Sequence, residues 1–271
     1  MVSWVDTSGD AWQIGNYRLL TLLSSGHDAS LYLAEHIYLK THALLKIYKV
    51  RLQTSDQEGF LTEIRAVARL VHPHITKVLE FGVEKNIPFL VLSYTPGGSL
   101  RQRHPTGIPL PFLTMLVYVE QIAAALDYAH NQQLLHLDLR PENIWVSHEN
   151  EIIVSNFRVI LFSHSSHSQS IQEIASAAAY MAPEQIMGHP CPASDQYALG
   201  VLVYEWLTGF RPFRSTNYVE IARQHMYVSP PALTGRVTTA VEQAVMRALA
   251  KEASERFPSV QAFADALKQS Y

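Results

Sequence analysis

Nine consecutive residues, Leu135-His136-Leu137-Asp138-Leu139-Arg140-Pro141-Glu142-Asn143, gather an imidazole, two carboxylates, a guanidinium and an amide into one short stretch. Val154-Ser155-Asn156-Phe157-Arg158 follows a hairpin's length downstream and adds a second amide and a second guanidinium. Carboxylates orient and accept protons, guanidinium groups neutralise anionic oxygens, and amides offer a cation only a neutral oxygen. The residue types suit proton and anion chemistry.

Such a stretch needs elements to hold it. Leu113 to His130 carries an apolar face (Leu113, Leu116, Val117, Ile122, Ala123, Leu126, Ala129) and reads as a long buried helix leading into it. Upstream, Tyr17 to Leu23 and Leu31 to Glu35 read as strands joined by a turn around Gly26, and Ala43 to Tyr48 reads as a third strand. Phe60 to Leu70 has helical periodicity and is closed by His72-Pro73, since a residue before proline leaves the α region. Lys77 to Tyr94 reads as a hairpin turning near Glu84 to Asn86, and Pro96-Gly97-Gly98 marks a crossing into a second body. A helix beginning near Asp195 and running to Leu207 is apolar nearly all round, as a buried helix should be. Two more are expected, from Thr239 to Ala250 with Glu242 completing a capping box, and from Ser259 to Lys268.

The chain of 271 residues, 48% of them hydrophobic, is long enough for one large two-lobed domain or two small ones with proper cores. A net charge of -3 with both signs mixed supplies no global field for nucleic acid or an anionic membrane, so no nucleic-acid partner is expected. The single cysteine, Cys191 between Pro190 and Pro192, reads as a small loop residue with no helix N-terminus nearby, and a cytoplasmic setting is expected. The longest apolar stretch, Ala198 to Leu207, falls well short of the ~20 residues that span a bilayer. No membrane segment, repeat or further domain is expected. His72 and His74, and His164 and His167, have metal-like spacing without further ligands and read as loop histidines.

In this order and spacing the motifs resemble the bacterial eukaryotic-type (Hanks-type) serine/threonine protein kinases, from about Ile14 to Ala266. The stretch from His136 to Asn143 matches H-R-D-L-x-x-x-N, Asn156 to Arg158 stands at D-F-G, Ala43 to Lys46 at V-A-I-K, and Ala182-Pro183-Glu184 is A-P-E. The resemblance implies an α+β, two-lobed protein kinase-like fold. Residues 1–13 would be a lead, 14–95 a small β-rich N-lobe with one αC helix, and 96–271 a larger, mostly helical C-lobe. It implies Asp138 as catalytic base and Arg140 as the cation on the transferred phosphate. Gly26 would belong to the loop over the phosphates, Lys46 would pair with Glu63, Leu92 would be the gatekeeper, and the backbone of Ser93, Tyr94 and Thr95 would meet adenine. Asn143 and Asn156 occupy the metal positions, the implied cofactors being ATP with Mg2+ or Mn2+. His136 would be a packed structural imidazole, and Arg256 would pair with Glu184.

Several positions depart from the family pattern. Ser24 and Ala29 replace two loop glycines, Asp28 adds a negative charge beside anionic phosphates, and Leu44 replaces a small alanine above the purine. Overpacking of that last kind typically costs ~1 to 3 kcal/mol. The triplet's Asp and Gly are Asn156 and Arg158, so both metal positions carry neutral amides. Arg158 would pair with Glu63, substitute for the metal on bound phosphates, or face solvent. Leu137 removes the arginine that receives a phosphorylated activation segment; Ser163, Ser165, Ser166, Ser168 and Ser170 could accept phosphate or simply form a polar loop. The expectation is a pseudokinase with weak nucleotide binding and weak or no phosphotransfer, acting on another kinase or signalling protein. The alternative is a slow, active serine/threonine kinase using Asp138.

Overall fold

In residues 43–47, Ala-Leu-Leu-Lys-Ile, the odd positions share one face of a strand and the even positions the other. The computed structural model turns Ala43, Leu45 and Ile47 into a core with Tyr17, Ala34, Ile87, Phe89 and Val91. It describes residues 13–26, 28–157, 178–233 and 235–270. Contacts divide the chain into two units, the first holding 13–68 and Lys77–Tyr94, the second Arg69–Thr76 and the described residues beyond Tyr94.

The first unit is an antiparallel sheet ordered β1-β2-β3-β4-β6-β5, with β1 Gln13–Ile14, β2 Tyr17–Ser25, β3 Ala29–His36, β4 His42–Tyr48, β5 Val78–Glu84 and β6 Ile87–Ser93. Strands β2 and β3 run further into their turn than the spacing suggests, pairing Ser25 with Ser30. The β5–β6 turn places Lys85 and Asn86 at φ 49 and 67, the left-handed pair that a two-residue hairpin requires. Helix α1, Thr54–Ala68, begins earlier and ends sooner than its apolar periodicity implies, and buries Phe60 and Ile64. Phe60 meets the Tyr48 ring edge-on at 5.7 Å.

Among its described residues, the second unit is helical apart from the hairpin β7 Ile144–Val146 and β8 Ile152–Val154. Its helices are α2 Leu100–Arg103, α3 Phe112–Asn131, α4 Pro183–Ile186, α5 Pro192–Thr208, α6 Tyr218–Tyr227, α7 Thr239–Ala248 and α8 Val260–Gln269. By length and composition α3 is long and apolar enough to cross a membrane, but Met115, Val119, Ile122, Leu126 and Ala129 are fully buried and it packs on α5 and α8. Among the described residues, the α+β class, the β-rich first part with one helix and the helical second part agree with expectation.

Some sequence expectations fail. Leu113 and Val117 are 56% and 47% exposed, because the inward stripe of α3 runs through Met115, Tyr118, Val119 and Ile122. Helix α7 is capped by Thr238, whose hydroxyl accepts from Val241 N, while Glu242 accepts from Leu233 N at 2.7 Å instead of closing a capping box. Cys191 is the N-cap of α5. Prolines 190 and 192 disguise it as loop, although proline is well suited to the first helical turn.

Candidate active site

Helix α3 delivers the chain to the 134–143 loop, and α5 holds that loop from beneath. Asp195 is only 1% exposed and accepts from the backbone amides of His136 and Leu137, each at 2.8 Å, and from His130 Nε2 at 2.8 Å. Gln185 Nε2 donates to Leu137 O at 2.8 Å. These bonds keep Leu137 at φ 59, a left-handed conformation costing ~1 to 2 kcal/mol for a side-chain-bearing residue. His136 is fully buried, donates from Nε2 to Ser155 O at 2.9 Å and accepts Asp138 N on Nδ1 at 3.2 Å. Burial lowers its pKa and outweighs the Asp195 and Asp138 charges, so the imidazole is neutral and structural, as expected.

Asp138 is the centre of the cluster. Asn143, in the 3-10 turn Pro141–Asn143, donates from Nδ2 to Asp138 O and to Asp138 Oδ2, both at 2.8 Å. Asn156 Nδ2 donates to the same Oδ2 at 3.2 Å, and Arg140 Nε lies 3.3 Å from Oδ1 as an ion pair. The hairpin between these two amides brings them together: Ser155 N donates to Asn143 O at 2.9 Å, and Ile152 N to Gln121 Oε1 of α3 at 2.7 Å. Asn156 sits at φ 68, where asparagine is among the best tolerated side chains. Asp138, Arg140, Asn143 and Asn156, all singled out from sequence, therefore form one site.

A hard divalent cation is usually held by one or two carboxylates. Here the two inherited ligand positions present neutral amides whose nitrogens are turned to Asp138, and Arg140 adds a cation beside it. Neither position brings the negative charge that a site for Mg2+ or Mn2+ usually supplies.

The first unit carries the remaining candidates. Gly26 N donates to Ala29 O at 2.9 Å, which commits to the turn the amide expected over phosphate. Lys49 Nζ donates to Ser25 Oγ at 3.0 Å and to Gly26 O, and Lys49 N donates to Asp28 O at 2.8 Å. Lys46 Nζ lies 4.9 Å from the centroid of the Tyr48 ring. Burial first, then the Glu63 and Asp28 carboxylates, raises the Tyr48 pKa. Leu44 is 1% exposed and lies in register between Leu33 and Leu92, so its extra methyl groups are packed, not displaced to solvent. Ser93 exchanges bonds with Lys77, N to O at 2.9 Å and Lys77 N to Ser93 Oγ at 3.2 Å. Tyr94 packs edge-on against His42 at 5.9 Å, and Thr95, 7% exposed, begins the second unit. Arg158, the five serines and His164 and His167 lie outside the described residues.

Sequence reasoning missed Asp195 and Gln185 as supports of the loop, and Arg101. The signal for Asp195 was a carboxylate at the start of an otherwise apolar helix. Glu184 and Arg256 form the expected pair, bidentate at 2.8 Å and 2.8 Å, with the Arg256 side chain fully buried. Ser194 Oγ adds a bond to Glu184 at 2.7 Å; burial raises the carboxyl pKa, but the Arg256 and Ser194 hydrogen bonds and the Arg256 charge leave it lowered overall.

A family profile described as protein kinase domain matches residues 17–267. The chain is 30% identical over 253 residues to the serine/threonine-protein kinase PrkC of Bacillus subtilis, covering 91% of this chain and 39% of that protein. It is 31% identical over 265 residues to PknF of Mycobacterium tuberculosis, covering 93% and 55%, and 31% identical over 264 residues to pkn3 of Myxococcus xanthus, covering 91% and 48%. The chain thus spans about half or less of the length of these relatives.

Proposed function

The chain belongs to the bacterial Hanks-type serine/threonine protein kinase family, and from that premise we propose that it works as a pseudokinase: a kinase-fold regulatory module with weak or no phosphotransfer. The observation that carries this reading is the amide of Asn156 donating to Asp138 Oδ2 at 3.2 Å, where phosphoryl transfer asks for a carboxylate on a metal ion. Loss of one well-placed electrostatic group commonly costs ~3 to 4 kcal/mol in the transition state, or two to three decades of rate. The committed Gly26 amide and the packed Leu44 weaken nucleotide binding further. Its partner is another kinase or signalling protein, met in a cytoplasmic setting.

A second reading, a slow active serine/threonine kinase, draws on the ordered Asp138 loop and on Asn143, which keeps its bond to the loop backbone. In it, Asp138 would orient a serine or threonine hydroxyl and Arg140 would neutralise the transferred phosphate.

The test compares wild type with Asn156→Asp/Arg158→Gly in phosphotransfer and in nucleotide-induced thermal shift, each with and without Mg2+. The pseudokinase reading expects no Mg2+-dependent shift in wild type and a gain of both signals in the double variant. Robust wild-type transfer that Asp138→Asn abolishes would establish the second reading instead.

A further inference from the structure

Arg101, on the short helix α2, donates to four side chains from four parts of the second unit. Nε reaches Glu142 Oε1 at 3.0 Å, in the 3-10 turn that carries Asn143. Nη1 reaches Glu205 Oε1 of α5 at 2.8 Å and Thr106 Oγ1 at 2.8 Å. Nη2 reaches the Tyr180 hydroxyl at 2.7 Å and Glu205 Oε2 at 3.4 Å. Tyr180 in turn donates to Glu205 Oε2 at 2.5 Å. Glu205 and Tyr180 are each 4% exposed, so the fork binds in a place where charge must be matched. Burial raises the Tyr180 pKa and the Glu205 carboxylate raises it further, which keeps the phenol a donor to that carboxylate.

We propose that Arg101 is a positioning residue that couples the 178–182 segment directly to the Asp138 loop, through Tyr180 on one side and Glu142 on the other. Glu142 is the immediate neighbour of Asn143, whose side chain holds Asp138 at 2.8 Å, so a pull on Glu142 is felt at the Asp138 carboxylate. Position 137, one residue before Asp138, carries a leucine with no charge to offer that segment. The coupling runs instead from α2 and needs no phosphate, so it is permanent. A planar fork makes it possible, because one guanidinium serves donors in fixed directions to several acceptors at once. A lysine would serve only part of this set. The proposal stands whether or not the protein transfers phosphate.

The test is amide hydrogen exchange of residues 134–146 together with the side-chain amide resonances of Asn143 and Asn156 in the full chain. Tyr180→Phe removes one hydroxyl, and Arg101→Met/Glu205→Gln removes the fork without leaving a buried carboxylate unpaired. In both variants exchange over 136–143 is expected to rise by about tenfold and the Asn143 side-chain resonances to shift, while α7 and α8 keep their wild-type exchange. Arg101→Lys/Glu205→Gln should restore neither. A contribution to fold stability alone would raise exchange evenly across the unit. That even rise, or loop exchange within about twofold of wild type in both variants, would overturn the coupling.

Discussion

At the residue scale, Asp138 Oδ2 has room for two donors, and both places are taken by amides. The arrangement is self-consistent without a metal, since each amide donates one bond to the Asp138 carboxylate and Arg140 balances the other side. Replacing Asn156 by Asp reverses one of these bonds into a meeting of two carboxylates where the amide now lies 3.2 Å from Oδ2. Asparagine and aspartate both tolerate the left-handed backbone at φ 68, so the variant should fold. Without divalent cation it is expected to lose about 1 to 3 kcal/mol through like-charge repulsion, and to recover it when Mg2+ is added. Denaturant midpoints with and without Mg2+ check this; equal midpoints in both conditions would show that no cation site is created. Asn156→Val should cost about 1 to 3 kcal/mol under every condition, because a β-branched residue strains at positive φ and offers no donor.

At the scale of elements, the helical unit is pinned by polar bonds that the apolar pattern does not announce. Glu184 of α4 and Arg256, at the end of the 3-10 turn Ala253–Glu255, join segments far apart in the chain. Glu184→Ala strands a buried guanidinium and is expected to cost about 3 to 5 kcal/mol, read as a lower melting temperature. His225 of α6 is fully buried, its Nδ1 2.9 Å from the Tyr197 hydroxyl of α5, with the Phe213 ring at 4.9 Å. Burial, together with Lys251 and Arg211, pushes its pKa down to about 3, against the Ala179 hydrogen bond that raises it. A folded pKa below the unfolded value of about 6.5 means that protons bind the unfolded chain more readily. Stability is therefore complete above about pH 6.5 and lost as pH falls toward 3, by up to about 1.4 kcal/mol per pH unit from this residue alone. Melting curves between pH 7 and pH 4 should show this slope in wild type and a shallower one in His225→Gln. Glu184, its pKa lowered, adds a loss in the same direction below about pH 4.5.

At the scale of the whole chain, two units each own a core: Ala34, Leu45 and Val91 on one face of the sheet, and Ile122, Leu126 and Phe263 among the helices. Leu126→Ala opens a cavity at a fully buried position and is expected to destabilise the helical unit by about 2 to 5 kcal/mol. Hydrogen exchange resolved along the chain reads it as raised exchange across α3, α5 and α8. A net charge of -3 provides no general attraction for polyanions, so partner choice falls to local surfaces.

The amino-acid sequence alone determined the class of fold, the order of the motifs and the chemical identity of the site. The motifs carry the resemblance that implies the two-lobed fold, and the residue at 156 is an amide whatever its surroundings. It also disclosed the Glu184–Arg256 pair, because two charged residues stood at motif positions. Tertiary structure decided the rest. That the Asn156 amide turns onto Asp138, that Gly26 spends its N–H on a turn, that Leu113 faces outward, and that Cys191 caps a helix all depend on which neighbours arrive from elsewhere in the chain. Arg101 shows the limit most clearly. In sequence it is one arginine in a polar run, and only folding gathers Glu142, Tyr180 and Glu205, from 41, 79 and 104 residues away, around its guanidinium. Hydrogen bonds between distant residues leave no local period in the chain, so their partners become visible only once the elements have packed.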